Sequence, residues 1–267
     1  MRGCYEMMST ELDINEMEEA QFQEWNESKN APKILFKYKA VRTIDDLIRL
    51  VEILKDHKIY FPTVQELNDS FEGTGTNLIS EGKDVYASEL RNHYRVLCLS
   101  GNCFSPTMWA HYGGNRSGVC IGFLSGSPLS PTNQSVFKDA TPIDYVDSLP
   151  DKFSADTKEA IERDLTRKLK TWSYENEWRI IASDRNAQQP AADSKKHFLE
   201  FDKKDIACII LGEKMKGALK EIIANSVPEI PIYTIICDFK KSAYSAQNKL
   251  TGVLVDTIDA LLKDLKV

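Results

Sequence analysis

The chain has 267 residues, 42% hydrophobic and 28% charged, so it can bury a full core beneath an ordinary charged surface. A formal net charge of −6 argues against a duplex nucleic-acid binder that works by broad phosphate neutralisation, and no apolar run approaches the roughly 20 residues that span a bilayer. Six cysteines without a CxxC pair, behind an acidic N-terminus that lacks the apolar core of a signal peptide, point to a reducing cytoplasm.

Residues 1–32 are rich in Glu and Met and read as an N-terminal extension, partly helical from about Leu12 to Trp25. A single domain is expected over residues 33–267. Ile34–Tyr38 is aromatic and β-prone, with Lys37 and Lys39 on one face and Phe36 and Tyr38 on the other. Lysines at that spacing fit an edge strand. Thr43 offers an N-cap, and Asp46 a capping-box partner, to a helix reaching about Asp56. Ile59–Phe61 reads as a short strand stopped by Pro62, followed by one polar helical turn and the Asn68-Asp69-Ser70-Phe71-Glu72 turn. Beyond it, residues 74–95 read as irregular, with one helix from Asp84 to Tyr94.

Two apolar runs, Val96–Leu99 and Val119–Phe123, read as a central strand pair joined by a loop. Residues 125–142 show no regular pattern, and Ile143–Val146 reads as a strand. Ile161, Leu165 and Leu169 recur at i, i+4 and i+8, which predicts a helix over Asp156–Trp172. Strands at Trp178–Ala182, His197–Phe201 and Cys208–Leu211 follow, then a helix Glu213–Asn225, a strand Ile230–Cys237 and a helix Val253–Leu265. The piece from Asp205 to Cys237 is a β-α-β unit. The fold class is α+β, a mostly antiparallel mixed sheet with packed helices.

Four stretches have the residue types for chemistry. Lys37 and Tyr38 lie on the opening strand. Asn68, Asp69 and Glu72 either hold a turn or position a ligand hydroxyl. Ser100 and the loop carrying Trp109, His111 and Tyr112 form either a ligand pocket or a buried aromatic corner with a hydrogen-bonded imidazole. The fourth stretch is Trp172-Ser173-Tyr174-Glu175-Asn176-Glu177-Trp178-Arg179. Glu175, Glu177 and Arg179 share a face there if the segment is extended. Their plain reading is a surface Glu177–Arg179 pair. Their functional reading is a carboxylate that serves as a general base or faces a developing cation. The histidines are scattered, none at ligand spacing from a cysteine, so no metal site is expected. The motifs of a P-loop, a GxSxG elbow and a zinc HExxH are absent.

Taken in order, these stretches resemble a bacterial family known as domain of unknown function 2971, from about Leu35 to Leu211. The residues that carry the likeness are Lys37-Tyr38, Ile59-Tyr60-Phe61-Pro62, Asn68 to Glu72, Ser100, Met108 to Tyr112, Gly118 to Phe123, and Trp172 to Arg179. Ser70 and Arg116 depart from that family's usual proline and histidine. The layout also resembles, at the level of fold, the ADP-ribosyltransferases. That likeness implies NAD as the nucleotide and a nucleic-acid or protein acceptor. Lys37 or Tyr38 would then touch the nicotinamide ribose or phosphates. Ser100, Trp109 and Tyr112 would line the nicotinamide pocket, and Glu175 or Glu177 would hold the ribose. The first strand lacks that superfamily's usual histidine or arginine. The alternative is a non-catalytic binding or regulatory module of a phage-defence or toxin–antitoxin system.

Overall fold

Strand β1 (Ile34–Lys39) lies near the middle of the architecture, and most of the chain is added to its two sides. The structure is a computed structural model that describes residues 32–72, 94–125, 135–149, 158–183 and 198–267. All of these belong to one compact unit, residues 31–267. The N-terminal extension, and the helix expected from Asp84 except for its last residue, lie outside the described residues.

The described elements are β1, α1 (Ile44–Lys55), β2 (Lys58–Tyr60), β3 (Tyr94–Ser100), α2 (Pro106–His111), β4 (Val119–Leu124), β5 (Thr141–Pro142), β6 (Asp144–Val146), α3 (Lys158–Leu165), β7 (Arg167–Leu169), β8 (Glu177–Ser183), β9 (Phe198–Glu200), β10 (Ile206–Leu211), α4 (Gly217–Ser226), β11 (Ile232–Asp238), β12 (Ala243–Asn248), β13 (Leu254–Val255) and α5 (Ile258–Leu265). Nine of these described strands form one sheet in the order β13-β12-β11-β10-β4-β1-β3-β8-β5. Its neighbours are antiparallel except β10 and β11, which are parallel and joined by α4. The fold is therefore α+β on a mixed sheet, and the expected β-α-β unit is present. Strands β2 and β9 form a separate antiparallel pair, and β6 and β7 a parallel one.

Period-two alternation in the central strands feeds a core on each face of the sheet. Leu35, Ile121 and Ile209 meet Leu50, Ile53 and Leu54 of α1 and Ile223 of α4. Phe36, Cys120 and Ile210 turn the other way, onto Met108 and Trp109 of α2 and Leu261 of α5. Each such side chain is essentially water-free, and burial of one contributes about 1.5–3 kcal/mol. Helix α1 starts as its sequence predicts, with Thr43 and Asp46 capping each other reciprocally.

Several expectations are corrected. Strand β1 is central, so Lys37 and Lys39 do not guard an edge. The strands of Val96–Leu99 and Val119–Phe123 are not paired to each other, because β1 inserts between them and the connection has room for helix α2. That helix is set by Ser105, whose hydroxyl accepts from the Met108 N–H, and by Pro106 at the first helical position. The helix expected to Trp172 ends at Leu165. The helix expected from Val253 begins at Ile258, capped by the Thr257 side chain, and the β12 strand before it was not foreseen.

One irregularity of the sheet positions the site. Strands β1 and β3 pair at Phe36 and Ser100, and the ladder continues no further along β1. The open edge of β3 is instead met by the chain after β2: the Val96 N–H donates to Pro62 O at 2.9 Å, and Thr63 bridges to Arg95. A wedge is left between the two strands.

A charged pocket where the sheet ladder opens

That wedge is a pocket of about 210 Å³. Phe36, Lys37 and Tyr38 wall it from β1, and Cys98, Leu99 and Ser100 from β3. Asn68 and Tyr112 lie toward one side. Glu72, Lys168, Glu175, Glu177 and Arg179 supply a cluster of charges.

The cluster is almost fully dry. Arg179 is 1% exposed, Lys168 3% and both Glu175 and Glu177 4%, so every charge there needs a partner. Arg179 grips Glu177 with two bonds, Nε to Oε1 at 2.8 Å and Nη2 to Oε2 at 3.1 Å. The same Nη2 donates to Glu72 Oε2, and Nη1 donates to Leu165 O at 2.7 Å. Lys168 Nζ reaches Glu175 at 2.6 Å, Glu72 at 2.9 Å and Glu177 at 3.0 Å. The Glu177–Arg179 pair is therefore a buried bidentate pair, not the surface pair of the plain sequence reading.

The two neighbouring glutamates are driven apart in their protonation. Burial pushes Glu177 up, but Arg179 and Lys168 outweigh it and hold the carboxyl well below its ordinary value. For Glu175 burial is again the largest cause, the charge of Glu177 adds to it, and Lys168 only partly offsets them. The carboxyl is pushed up to about 7. Counting charges gives the same result. Lys168 and Arg179 are two cations among three carboxylates, so the cluster has one negative charge in excess, and Glu175 shares its one cation, Lys168, with Glu72 and Glu177.

Glu175 is also the carboxylate tied to the pocket's neutral polar groups. Asn68 Nδ2 donates to Tyr112 Oη, and Tyr112 O–H donates to Glu175 Oε1, both at 2.5 Å. Burial and the bond to Glu175 raise the Tyr112 phenol well above its usual range, so it stays a donor. Backbone geometry places both glutamates on Lys168. A 3-10 turn over Lys170–Glu175 ends at Asn176, which is left-handed at φ 44°, and β8 begins at Glu177. Asparagine tolerates that conformation better than most residues. Ser100 Oγ donates to Glu175 O at 2.7 Å, and the Gly101 N–H donates to Asn176 O at 2.8 Å, fixing the turn against β3.

Of the residues singled out from sequence, Lys37, Tyr38, Asn68, Glu72, Ser100, Tyr112, Glu175, Glu177 and Arg179 line this pocket. Their roles there differ. Tyr38 O–H donates to Asn102 O, and Ser100 is engaged with backbone, so both act as scaffold. Lys37 Nζ donates to Cys98 O at 2.9 Å and makes no ion pair among the described residues. Trp109, His111 and Asp69 are not in the wall. Trp109 is completely buried beneath Tyr38, and its Nε1–H donates to Cys103 O. His111 is exposed beside Tyr174, at 5.9 Å between ring centroids. Asp69 Oδ1 accepts the Phe71 N–H, which makes it a turn former. Lys168 was not singled out, although its spacing carried a signal: three residues after Leu165 and seven after Ile161, it falls on the apolar stripe of the helical pattern. Among the described residues no group of His, Cys, Asp and Glu is arranged to hold a metal ion, and no helix is long and apolar enough to cross a membrane.

A family model described as "Protein of unknown function (DUF2971)" matches residues 108–180. Over that stretch, from α2 into β8, the chain resembles that family. The match includes Tyr112, Lys168, Glu175, Glu177 and Arg179. It is shorter than the Leu35–Leu211 span read from sequence, and Lys37, Asn68, Asp69, Glu72 and Ser100 lie outside it. Neither a curated protein nor a solved structure matches the chain.

Proposed function

We propose that this pocket is the active site of an enzyme of the ADP-ribosyltransferase or glycohydrolase type, which breaks the nicotinamide–ribose bond of NAD. Glu175 is the carboxylate that faces the reacting sugar. The observation that carries the reading is the missing countercharge: among the described residues three buried carboxylates of the pocket wall share two cations, and Glu175, tied to Tyr112 and pushed up to about 7, is the one that holds its charge least firmly. A substrate with a positive charge completes the balance, and the pyridinium of NAD has one. As the C1′–N bond breaks, its electron pair goes to the pyridine nitrogen, and positive charge moves to the ribose ring. The acceptor's oxygen or nitrogen then bonds C1′ and gives up its proton to solvent. An ionised Glu175 stabilises that ring cation and also accepts a hydrogen bond from a ribose hydroxyl. Preorganised charge of this kind is among the largest sources of rate enhancement. Lys37, on the β1 wall and without an acidic partner among the described residues, faces the phosphate side of the same ligand. A volume of about 210 Å³ is smaller than the roughly 300–1,000 Å³ of pockets that enclose a drug-sized ligand, so it takes the reacting end of a dinucleotide only.

The test is release of labelled nicotinamide from NAD, with water, mixed nucleic acid or mixed protein as acceptor. Glu175→Gln should lower the rate about 100- to 1,000-fold. Because Glu175 works as the anion, the wild-type rate should rise as pH increases through about 7. A rate that falls over that range would make Glu175 a general acid and rule out its action as an anion. No release with every acceptor would end the reading. The second reading, a non-catalytic binding module, draws on how completely Arg179 and Lys168 tie up Glu72 and Glu177, as in a structural ion cluster. It predicts ligand binding without nicotinamide release.

A further inference from the structure

Resting on that reading, we propose that Lys168 is the positioning residue of the site: its ammonium holds the Glu175 carboxylate in the pocket wall as an anion. Arg179 alone contacts both Glu72 and Glu177, yet a second cation is buried beside it, at the full cost of removing an ammonium from water. The contact that this second cation adds is Glu175, at the shortest of its three distances, 2.6 Å. Its side chain also lies 4.7 Å from the Trp172 ring centroid, on the turn that carries Glu175.

The local backbone is bent to this purpose. A helical repeat that runs to Leu169 in the sequence is broken after Leu165, and the three residues of β7 pair with β6 instead. Had the helix continued, Lys168 would have fallen on its apolar stripe, three residues after Leu165 and seven after Ile161, with no place among the carboxylates on β8 and its preceding turn. A local preference overridden at one point is the pattern expected where a site is being served.

The groups that face or sense the Glu175 carboxyl come from six places in the chain: β6, β7, β8, the 170–175 turn, the end of α2 and the turn that carries Glu72. Lys168 on β7 and Tyr112 after α2 touch it directly. Glu177 on β8 repels it, and the phenols of Tyr145 and Tyr174 feel its charge. Glu72 and Arg179 act through Lys168 and Glu177. Only Lys168 among these favours the anion by its charge at direct contact.

The experiment is a titration of the Glu175 carboxyl by carbon-13 NMR, assigned with Glu175→Gln, in the full chain. Wild type is compared with Lys168→Met and with Lys168→Gln, whose amide still donates to two carboxylates and supports folding if methionine does not. The exposed Lys170→Met is the control. Removing the charge should raise the Glu175 midpoint by about one to three units, with Lys170→Met unchanged. A midpoint within about a third of a unit of wild type, in a folded Lys168 variant, overturns the proposal. The titration needs no turnover. If the wild type releases no nicotinamide, the NAD reading falls while the role of Lys168 is still decided by the midpoint. If release does occur, its pH profile should move by the same amount as the midpoint.

Discussion

Glu175 and Glu177 are two residues apart and make opposite contributions to stability. Glu177 is held ionised by Arg179 and Lys168, and removing one partner of such a buried pair strands the other charge. Arg179→Met should cost about 3–5 kcal/mol, read by urea unfolding near neutral pH. Glu175 behaves in the reverse sense. Its carboxyl binds a proton more tightly in the folded chain, at about 7, than at the ordinary 4.5 of an unfolded one. The stabilisation linked to that proton is complete below about 4.5 and is lost as pH rises through about 7. Glu175→Gln should therefore be more stable than wild type at about pH 8, by on the order of 2–3 kcal/mol, with the gain disappearing near pH 5. Equal stability at both pH values would show that Glu175 is not destabilised by its surroundings. This difference between neighbours was only half legible in the sequence. The pattern of Glu175, Glu177 and Arg179 is visible there, but which carboxylate takes the guanidinium depends on the left-handed Asn176 between them and on a lysine seven residues upstream of Glu175.

At the scale of elements, local signals were reliable where the chain decides alone and failed where a neighbour decides. The capping box of Thr43 and Asp46 places the start of α1 to the residue, because both partners lie within one turn. The pattern Ile161, Leu165, Leu169 overextends α3, because pairing with β6 and burial of Lys168 win after Leu165. The same contrast holds for glycines. A Cβ on Gly118 would stand 2.2 Å from Lys39 O, so the turn into β4 depends on the missing side chain where it crosses the end of β1. Gly217, at the start of α4, has nothing within 4 Å of the same atom. Gly118→Ala should thus lower stability by about 1–3 kcal/mol or more, the range of overpacking, whereas Gly217→Ala should raise it by up to about 1 kcal/mol through helix propensity. Thermal unfolding of the pair checks this. A Gly118→Ala as stable as Gly217→Ala would mean that β1 gives way at no cost.

For the molecule as a whole, the mixed sheet was readable as a class but its order was not. Short apolar runs mark Ile34–Tyr38, Val119–Phe123 and Cys208–Leu211 as strands, yet nothing within them says that β1 lies between β3 and β4 or that β4 joins β1 to β10. That order places three strands with fully buried residues on both faces at the centre, and leaves the β6–β7 pair and the Lys170–Glu175 turn outside the main sheet. The rigid half of the pocket, Phe36 to Tyr38 on β1, therefore belongs to the most stable part of the fold. Of the charged half, Glu177 and Arg179 lie on β8 of the main sheet, but Lys168 and Glu175 are carried by a two-stranded pair of three residues each and the turn after it, the kind of element that opens locally at a small fraction of the global free energy. Amide hydrogen exchange should show this division. Backbone amides of β1, β4 and β10 should exchange only with global unfolding, and those of β7 and residues 170–175 several-fold faster or more. Saturating NAD should slow exchange in the second group and leave the first unchanged, because a ligand that supplies the missing positive charge ties Glu175, and through it Lys168, to the wall formed by β1. Exchange in β7 as slow as in β4 before any ligand is added would mean that the cluster is as rigid as the core, and the pocket would then bind without ordering anything.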